Sequence, residues 1–215
     1  FAVSLQNHGP YEAGRYPDSQ LTVSTAAPDA TAKSIATFAQ GMADSDASLG
    51  RLMEWASQRE RPTVIAFFGD HLPPLGPAYV DTGFLPSPTA PRKGPATEME
   101  KNRNTPLVVS SNEGGAVRDI GTVSPSLQPL NVLTAAGIAH PYYTGFLGEV
   151  AKSYRVIDRN LLIGRDGAET QEWNRAKTVD PIIRDQRMLQ YDSLFGEGFG
   201  TKRVFPPPHR PRFVS

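Results

Sequence analysis

An aspartate and a histidine stand side by side directly after an apolar run, in the segment Gly69-Asp70-His71 that follows residues 63–68. The run predicts a buried strand, and the carboxyl end of such a strand is where open α/β sheets bind ligands. A carboxylate next to an imidazole suits zinc or manganese better than calcium, which prefers shells made only of oxygen. The alternative is a loop in which Asp70 caps a turn and His71 packs. The strand before the pair favours the metal site.

A second histidine occupies a comparable position near the start of the chain. Residues 1–5 also predict a strand, and Asn7 and His8 follow it, with Gly9 and Pro10 setting a turn after them. Two strands that each end in a histidine suggest one site built from separated segments. The alternative for His8 is an ordinary turn histidine, because Gly-Pro is itself a turn signal.

The elements around these residues predict an α/β domain. Apolar residues at helical spacing predict a helix over residues 32–59. Gly41 and Gly50 each disfavour that helix by about 1 kcal/mol relative to alanine, which predicts a bend or break near residues 41–46. Asp46 is then better interpreted as the N-cap of a second helical segment than as a metal ligand.

Further elements follow the Asp-His pair. Residues 106–109 predict a short strand and residues 124–138 a helix, a succession typical of a mainly parallel sheet covered by helices. The proline-rich stretch 72–103 predicts a long loop, and its position after the pair makes it a candidate lid. Arg92 and Lys93 in that loop are interpreted as a solvated basic turn, with contact to an anionic head group as the alternative.

The last part of the chain predicts a small α+β appendage. Residues 154–163 predict one or two strands, and residues 169–177 and 181–195 predict helices. A proline-rich tail that contains His209 predicts an extended segment. His140 is interpreted as a turn residue beside aromatic side chains rather than a ligand.

The composition limits the classes of function. The chain has 215 residues, with 22 basic and 22 acidic side chains and a formal net charge of +0. A chain without net positive charge lacks the general attraction to phosphates that nucleic-acid-binding proteins use. The absence of cysteine excludes disulfides and thiolate zinc sites. No apolar run reaches the roughly 18 residues that a transmembrane helix needs.

Four sequence blocks occur in an order that resembles the lipoteichoic acid synthase-like branch of the sulfatase and alkaline phosphatase superfamily. The Gly-Asp-His block is shared widely in that superfamily, whereas the block at 189–196 is more specific to the branch. The block at 189–196 favours a phosphoglycerol-type transferase over an ordinary sulfatase. The resemblance extends from residue 1 to about residue 199. The blocks are Asn7-His8-Gly9-Pro10-Tyr11, Phe67-Phe68-Gly69-Asp70-His71-Leu72-Pro73, Thr105-Pro106-Leu107-Val108-Val109 and Leu189-Gln190-Tyr191-Asp192-Ser193-Leu194-Phe195-Gly196.

The resemblance implies roles for the candidate residues. Asp70 and His71 would be two ligands of a divalent metal, with manganese expected and zinc, magnesium and calcium as alternatives. His8 would contact the substrate head group or the leaving oxygen, with Asn7 in the same substrate site. Enzymes of this family place a nucleophile, usually threonine, and an acidic ligand in the half-domain that precedes these motifs. No threonine here matches that nucleophile, so we expect a C-terminal portion of a catalytic domain that is inactive alone.

The resemblance also implies a fold and a function. The fold is an α/β sheet of the alkaline phosphatase and sulfatase type over residues 1–150, with the α+β appendage at 151–200 and the tail at 201–215. The leading hypothesis is a metal-dependent transferase that moves a glycerophosphate-like group from a lipid donor to a glycan or polymer acceptor. It would act at the outer face of the cytoplasmic membrane, anchored by upstream segments. A sulfatase or phosphodiesterase hydrolase and a noncatalytic binding domain are the alternatives.

Overall fold

The computed structural model describes residues 2–5, 7–19, 21–89, 91–138 and 142–204. These residues form two compact units, one that ends at Ala116 and one that begins at Val117. In the described ranges, no helix combines the length and the apolar character that crossing a membrane requires.

One long helix, α1 (Asp29–Ser57), organises the first unit. It runs without interruption through residues 41–46, and Asp46 lies inside it rather than at an N-cap, so the predicted break is wrong. The physical reason is packing: Gly41 is buried against the loop that precedes the helix. Such tertiary contacts outweigh the weak helix propensity of glycine.

A two-stranded sheet carries the Asp-His pair. The run before the pair forms the strand β1 (Val64–Phe68), which pairs with β2 (Leu107–Ser111). The strand is confirmed, but its predicted burial is wrong, because the two-stranded sheet leaves its residues half-buried or exposed. The pairing is antiparallel, and so is every other strand pairing among the described residues, which corrects the expectation of a mainly parallel sheet. The connection returns the chain to the end of β1, where the Gly69 amide donates to the Pro106 carbonyl at 3.1 Å. As a result β2 starts where β1 ends, and the two strands run in opposite directions.

The segment before His8 does not form the predicted strand. Neither sheet of the described residues includes residues 2–5, and Val3 and Leu5 are 71% and 70% exposed. A strand requires a neighbour that pairs its backbone groups, and both described sheets form without this segment. The prediction that His8 ends a strand parallel to β1 is therefore wrong.

The connection between β1 and β2 is folded rather than an open loop. It contains two short helices, α2 (Ala78–Asp81) and α3 (Ala96–Lys101). Tyr79 and Met99 on these helices are buried, at 5% and 1% exposure. The hydroxyl of Thr31 in α1 donates to the Asp81 carboxylate, which ties α2 to the long helix.

The second unit has its own sheet and core. Its sheet has three antiparallel strands, in the order β3 (Tyr154–Ile157), β4 (Leu161–Gly164) and β5 (Glu169–Gln171). The core contains Leu127, Leu147, Val150, Ala151, Leu162, Trp173 and Ile183. The elements are α4 (Gln128–Ala135), α5 (Tyr143–Ser153), β3 (Tyr154–Ile157), β4 (Leu161–Gly164), β5 (Glu169–Gln171), α6 (Pro181–Leu194) and α7 (Thr201–Val204), with 3₁₀ turns at Pro125–Leu127 and Trp173–Arg175.

The elements of the second unit agree in part with the sequence. The strands β3 and β4 and the helix α6 lie where strands and a helix are predicted. The helix predicted over residues 169–177 is wrong, because residues 169–171 pair with β4 as β5 and only a 3₁₀ turn follows them. The domain boundaries at 150 and 200 stay predictions. His140 and the tail from residue 205, with His209, lie outside the described residues.

Candidate functional site

The strand end brings Asp70 and His71 onto a tightly packed corner. The Thr105 hydroxyl donates to the Gly69 carbonyl at 2.7 Å. A β-carbon on Gly69 would lie only 3.1 Å from Thr105 Cβ, closer than carbons normally pack. Glycine therefore lets β1 approach the start of β2 closely, and the backbone before the pair is held on both sides.

The His71 ring is oriented by a backbone contact. Its Nδ1 lies 2.9 Å from the Leu72 carbonyl oxygen. A carbonyl only accepts hydrogen bonds, so in the neutral ring Nδ1 carries the proton and the lone pair lies on Nε2. Metal-binding histidines commonly use a backbone carbonyl in this way to set their tautomer.

The spacing of Asp70 and His71 fits a shared metal ion. His71 Nε2 lies 3.5 Å from Asp70 Oδ2. Two ligands at about 2.1 Å from one tetrahedral ion lie about 3.4 Å apart, so the pair could hold an ion where it stands. The His71 side chain is 59% exposed and the Asp70 side chain 80% exposed, so an ion could reach the space between them from solvent. Within the described ranges, no group of three or more carboxylates and imidazoles is arranged to hold a metal.

The loop with His8 is held by its own backbone contacts. The His8 amide donates to the Leu5 carbonyl at 3.1 Å, and His8 Nδ1 lies 2.7 Å from the Gly9 carbonyl. As in His71, this contact places the proton of the neutral ring on Nδ1 and the lone pair on Nε2. The Arg15 guanidinium donates to the His8 carbonyl and, at 3.1 Å, to the Pro10 carbonyl. This clamp closes the turn around the histidine.

The same loop lies along α1. The Tyr11 ring packs edge-on against Phe38, with centroids 5.5 Å apart. The Thr37 hydroxyl donates to the Glu12 carbonyl at 3.1 Å, and the Ser19 hydroxyl donates to Gln40 at 2.9 Å. The helix is therefore a platform for the His8 loop, which a strand was expected to carry.

The structure brings the two predicted segments together. A β-carbon on Gly9 would lie 3.7 Å from Pro74, which follows the Asp-His pair. Burial raises the pKa of the Tyr11 hydroxyl, and nearby Tyr79 and the Asp70 carboxylate raise it further, while Arg15 opposes them. Tyr11 thus links the His8 loop to the corner with Asp70 and to the packed segment after it.

The sequence analysis missed the parts that Arg15 and Tyr11 play in this site. No sequence pattern indicates Arg15, because its contacts with the His8 and Pro10 carbonyls depend on how the loop closes. Tyr11 belongs to the first sequence block, and the effect of the Asp70 charge on its hydroxyl depends on the fold. Asn7, the other predicted substrate residue, turns its side chain towards α1, where Oδ1 is buried.

A comparison with models of known protein families identifies the family of this chain. The family model described as Sulfatase matches residues 1–138, more than half of the chain. The chain belongs to the sulfatase family. The matched region of this sulfatase-family chain includes the His8 loop and the Asp70–His71 corner. The predicted family and the α/β fold of the superfamily are thereby confirmed.

Two similar proteins extend this assignment. A protein of Rhizobium meliloti (strain 1021), whose name assigns it provisionally to cyclic beta-1,2-glucan modification, is 48% identical over 205 residues. The match covers 95% of this chain and 32% of that protein, so the chain spans about a third of its relative. The phosphoglycerol transferase GacH of Streptococcus pyogenes, in complex with sn-glycerol-1-phosphate, matches with a TM-score of 0.60 and 17% identity. That match covers 93% of this chain and 45% of GacH, and at this identity it shows the fold alone.

Proposed function

We propose that this chain supplies the metal-binding and substrate-binding part of an enzyme that transfers a glycerophosphate group from a lipid to a glucan. The observation that carries the proposal is the spacing of Asp70 and His71 for one ion, beside the loop that presents His8. The fold shared with GacH supports the phosphoglycerol group, and the name of the Rhizobium relative supports a glucan acceptor.

Each residue of the proposed site has a defined task. Asp70 and His71 would hold the divalent ion, with manganese proposed and zinc, magnesium or calcium as alternatives. When bound, such an ion lowers the pKa of an attacking hydroxyl and offsets negative charge at phosphorus. His8 Nε2 would hydrogen-bond the head group or pass a proton to the leaving oxygen. Asn7 would keep the His8 loop in place or contact the same group.

The proposed transfer takes place in two displacements. An activated hydroxyl forms a bond to phosphorus while the bond from phosphorus to the diacylglycerol oxygen breaks, and that oxygen takes a proton. A glucan hydroxyl then attacks the same phosphorus, loses its proton and releases the first hydroxyl. No threonine of this chain matches the family's nucleophile, so we assign none here. The donor lipid and the glucan would meet at the outer face of the cytoplasmic membrane.

A direct assay tests this function. The full-length protein is incubated with manganese, phosphatidylglycerol vesicles and a β-1,2-glucan. Diacylglycerol release is measured beside the gain of phosphoglycerol on the glucan by mass spectrometry. We expect equal amounts of both products, and neither product with the Asp70→Ala variant.

The alternatives give different products in the same assay. Free glycerol phosphate without modified glucan would indicate a phosphodiesterase, and cleavage of an aryl sulfate would indicate a sulfatase. The sulfatase family model makes these hydrolases the second candidate. The absence of turnover with all of these substrates, in a protein that still binds glycerol phosphate, would indicate a noncatalytic binding domain.

A further inference from the structure

The side chain of Asn7 occupies a notch in α1 at Gly41. A β-carbon on Gly41 would lie 2.9 Å from Asn7 Cγ, and closer still to Asn7 Oδ1. Nonbonded carbons pack at about 3.5–4.0 Å, so a side chain at position 41 is incompatible with this placement of Asn7. Oδ1 is buried in the notch and has no hydrogen-bond partner within the described residues. Steric fit to the glycine, rather than a polar contact of Oδ1, therefore sets the position of this oxygen.

The notch acts on the residue next to Asn7. Adjacent α-carbons are about 3.8 Å apart, so a displaced Asn7 carries His8 with it. The Tyr11 hydroxyl donates to the Asn7 carbonyl at 3.0 Å, and the Arg15 clamp holds the His8 carbonyl from the other side. These two contacts hold the backbone of the loop, and the fit of Asn7 at Gly41 sets the distance between the loop and α1.

We propose that Gly41 is a positioning residue for His8, a proposal that rests on the substrate role assigned to His8 above. Glycine at this position is required for the absence of a side chain rather than for its backbone freedom, because Gly41 lies within the uninterrupted helix α1. The bulk of any other residue would lift the Asn7-His8 segment away from the helix. A shift of about 1 Å in a catalytic group can cost 100-fold in rate.

Gly50 is a matched control in the same helix. It is exposed, and a β-carbon on it would have no atom of the described residues within 4 Å, apart from its own helix backbone and its chain neighbours. Gly41→Ala and Gly50→Ala gain the same helix propensity. They differ in their surroundings: a β-carbon at position 41 would collide with Asn7 and lie 3.3 Å from the Tyr16 hydroxyl oxygen.

The experiment measures the position of His8 separately from activity. The full-length protein is labelled with isotope in its histidine rings, and the His8 signal is assigned from its loss in His8→Ala. We expect Gly41→Ala to shift the His8 signal and lower turnover by about 10- to 100-fold. Gly50→Ala should leave both unchanged. In an Asn7→Ala background, Gly41→Ala should shift the His8 signal much less than in the wild-type background, because only the 3.3 Å approach to the Tyr16 hydroxyl remains.

Each outcome decides between the two proposals. A His8 signal that is the same in Gly41→Ala and Gly50→Ala overturns the positioning role. A shifted signal with unchanged turnover supports the positioning role and contradicts the catalytic task of His8. If Gly41→Ala fails to fold, recovery of the wild-type melting temperature in Asn7→Ala/Gly41→Ala supports the notch. Failure of that double variant to recover contradicts it.

Discussion

At the scale of single residues, we expect the exposed Asp70–His71 pair to bind a ligand rather than to stabilise the fold. Both side chains are largely exposed, and an exposed ion pair contributes little to the free energy of unfolding. Their spacing and the tautomer set by the Leu72 carbonyl are compatible with the proposed metal site. The carboxylate and the imidazole are therefore expected to matter for metal content and not for folding.

Replacing either residue tests this expectation. Asp70→Ala and His71→Ala should remove most bound manganese or zinc, measured by mass spectrometry of the metal, and nearly all turnover. The free energy of unfolding of the metal-free protein should change by no more than about 0.5 kcal/mol, as for other exposed positions. Asp46→Ala, which removes an exposed carboxylate from α1, is the control and should retain the metal. Normal metal content in both site variants would refute the assignment.

His8 is expected to act on the substrate rather than on the metal. His8→Ala should leave metal content intact and reduce turnover by roughly 10²–10⁴-fold, the range for a positioned proton-transfer group. His8→Gln should recover little of the activity if Nε2 transfers a proton. Loss of metal in His8→Ala would instead make His8 a third ligand. A silent His8→Gln would identify an ordinary turn histidine.

At the scale of elements, an aspartate joins the end of α6 to the short helix α7. The Asp192 carboxylate accepts hydrogen bonds from the amides of Phe199, Gly200 and Thr201 at 2.9–3.0 Å, and from the Thr201 hydroxyl at 3.1 Å. Asp192 lies in the sequence block at 189–196, and its contacts hold two elements of the fold together. The hydrogen bonds from Thr201, Phe199 and Gly200 lower the pKa of the Asp192 carboxyl below its ordinary value of 3.8, against the effect of burial.

The pH dependence of this contact follows from the direction of the shift. Because the folded state lowers the pKa, the stabilisation is present above about pH 4 and disappears as the pH falls through the lowered value. The amide signal of Thr201 should therefore titrate below pH 4, and Asp192→Asn should abolish that titration and loosen α7. Asp185→Asn on the same helix, which removes only the exposed pair with Arg184, should leave the Thr201 signal unchanged. A Thr201 signal that still titrates in Asp192→Asn would contradict this role.

At the scale of the whole molecule, the two compact units are joined through an exposed stretch. Residues 113–121 are all exposed, and Val117 is fully so. The stretch has no helix or strand, and Gly114, Gly115 and Gly121 within it have positive φ angles that favour glycine. Exposed segments of this kind are the preferred sites of proteolysis.

Limited proteolysis tests this division. Trypsin under native conditions should cut first after Arg118 and give a fragment whose sequence begins at Asp119. Arg118→Gln should delay that cut without changing the melting temperature. First cleavage inside α1, for example after Arg51, would show that the helix opens before the connection does.

Local sequence patterns identify the family and the candidate site residues. The apolar run before Asp70, the two histidine segments and the block around Asp192 are local patterns, and each carries its information within a few residues. The existence of α1, β1 and α6 was predictable for the same reason. Residue types decide what a site can bind, and those are visible without coordinates.

The way these pieces are held depends on the tertiary structure. The direction of β2, the unbroken course of α1 at Gly41 and the strand β5 depend on partners far along the chain, which local propensity does not include. The use of α1 as the platform for the His8 loop, with Asn7 in the notch at Gly41, has the same origin. In the sequence Gly41 is a weak point of a helix; in the fold its missing side chain is the space that Asn7 occupies.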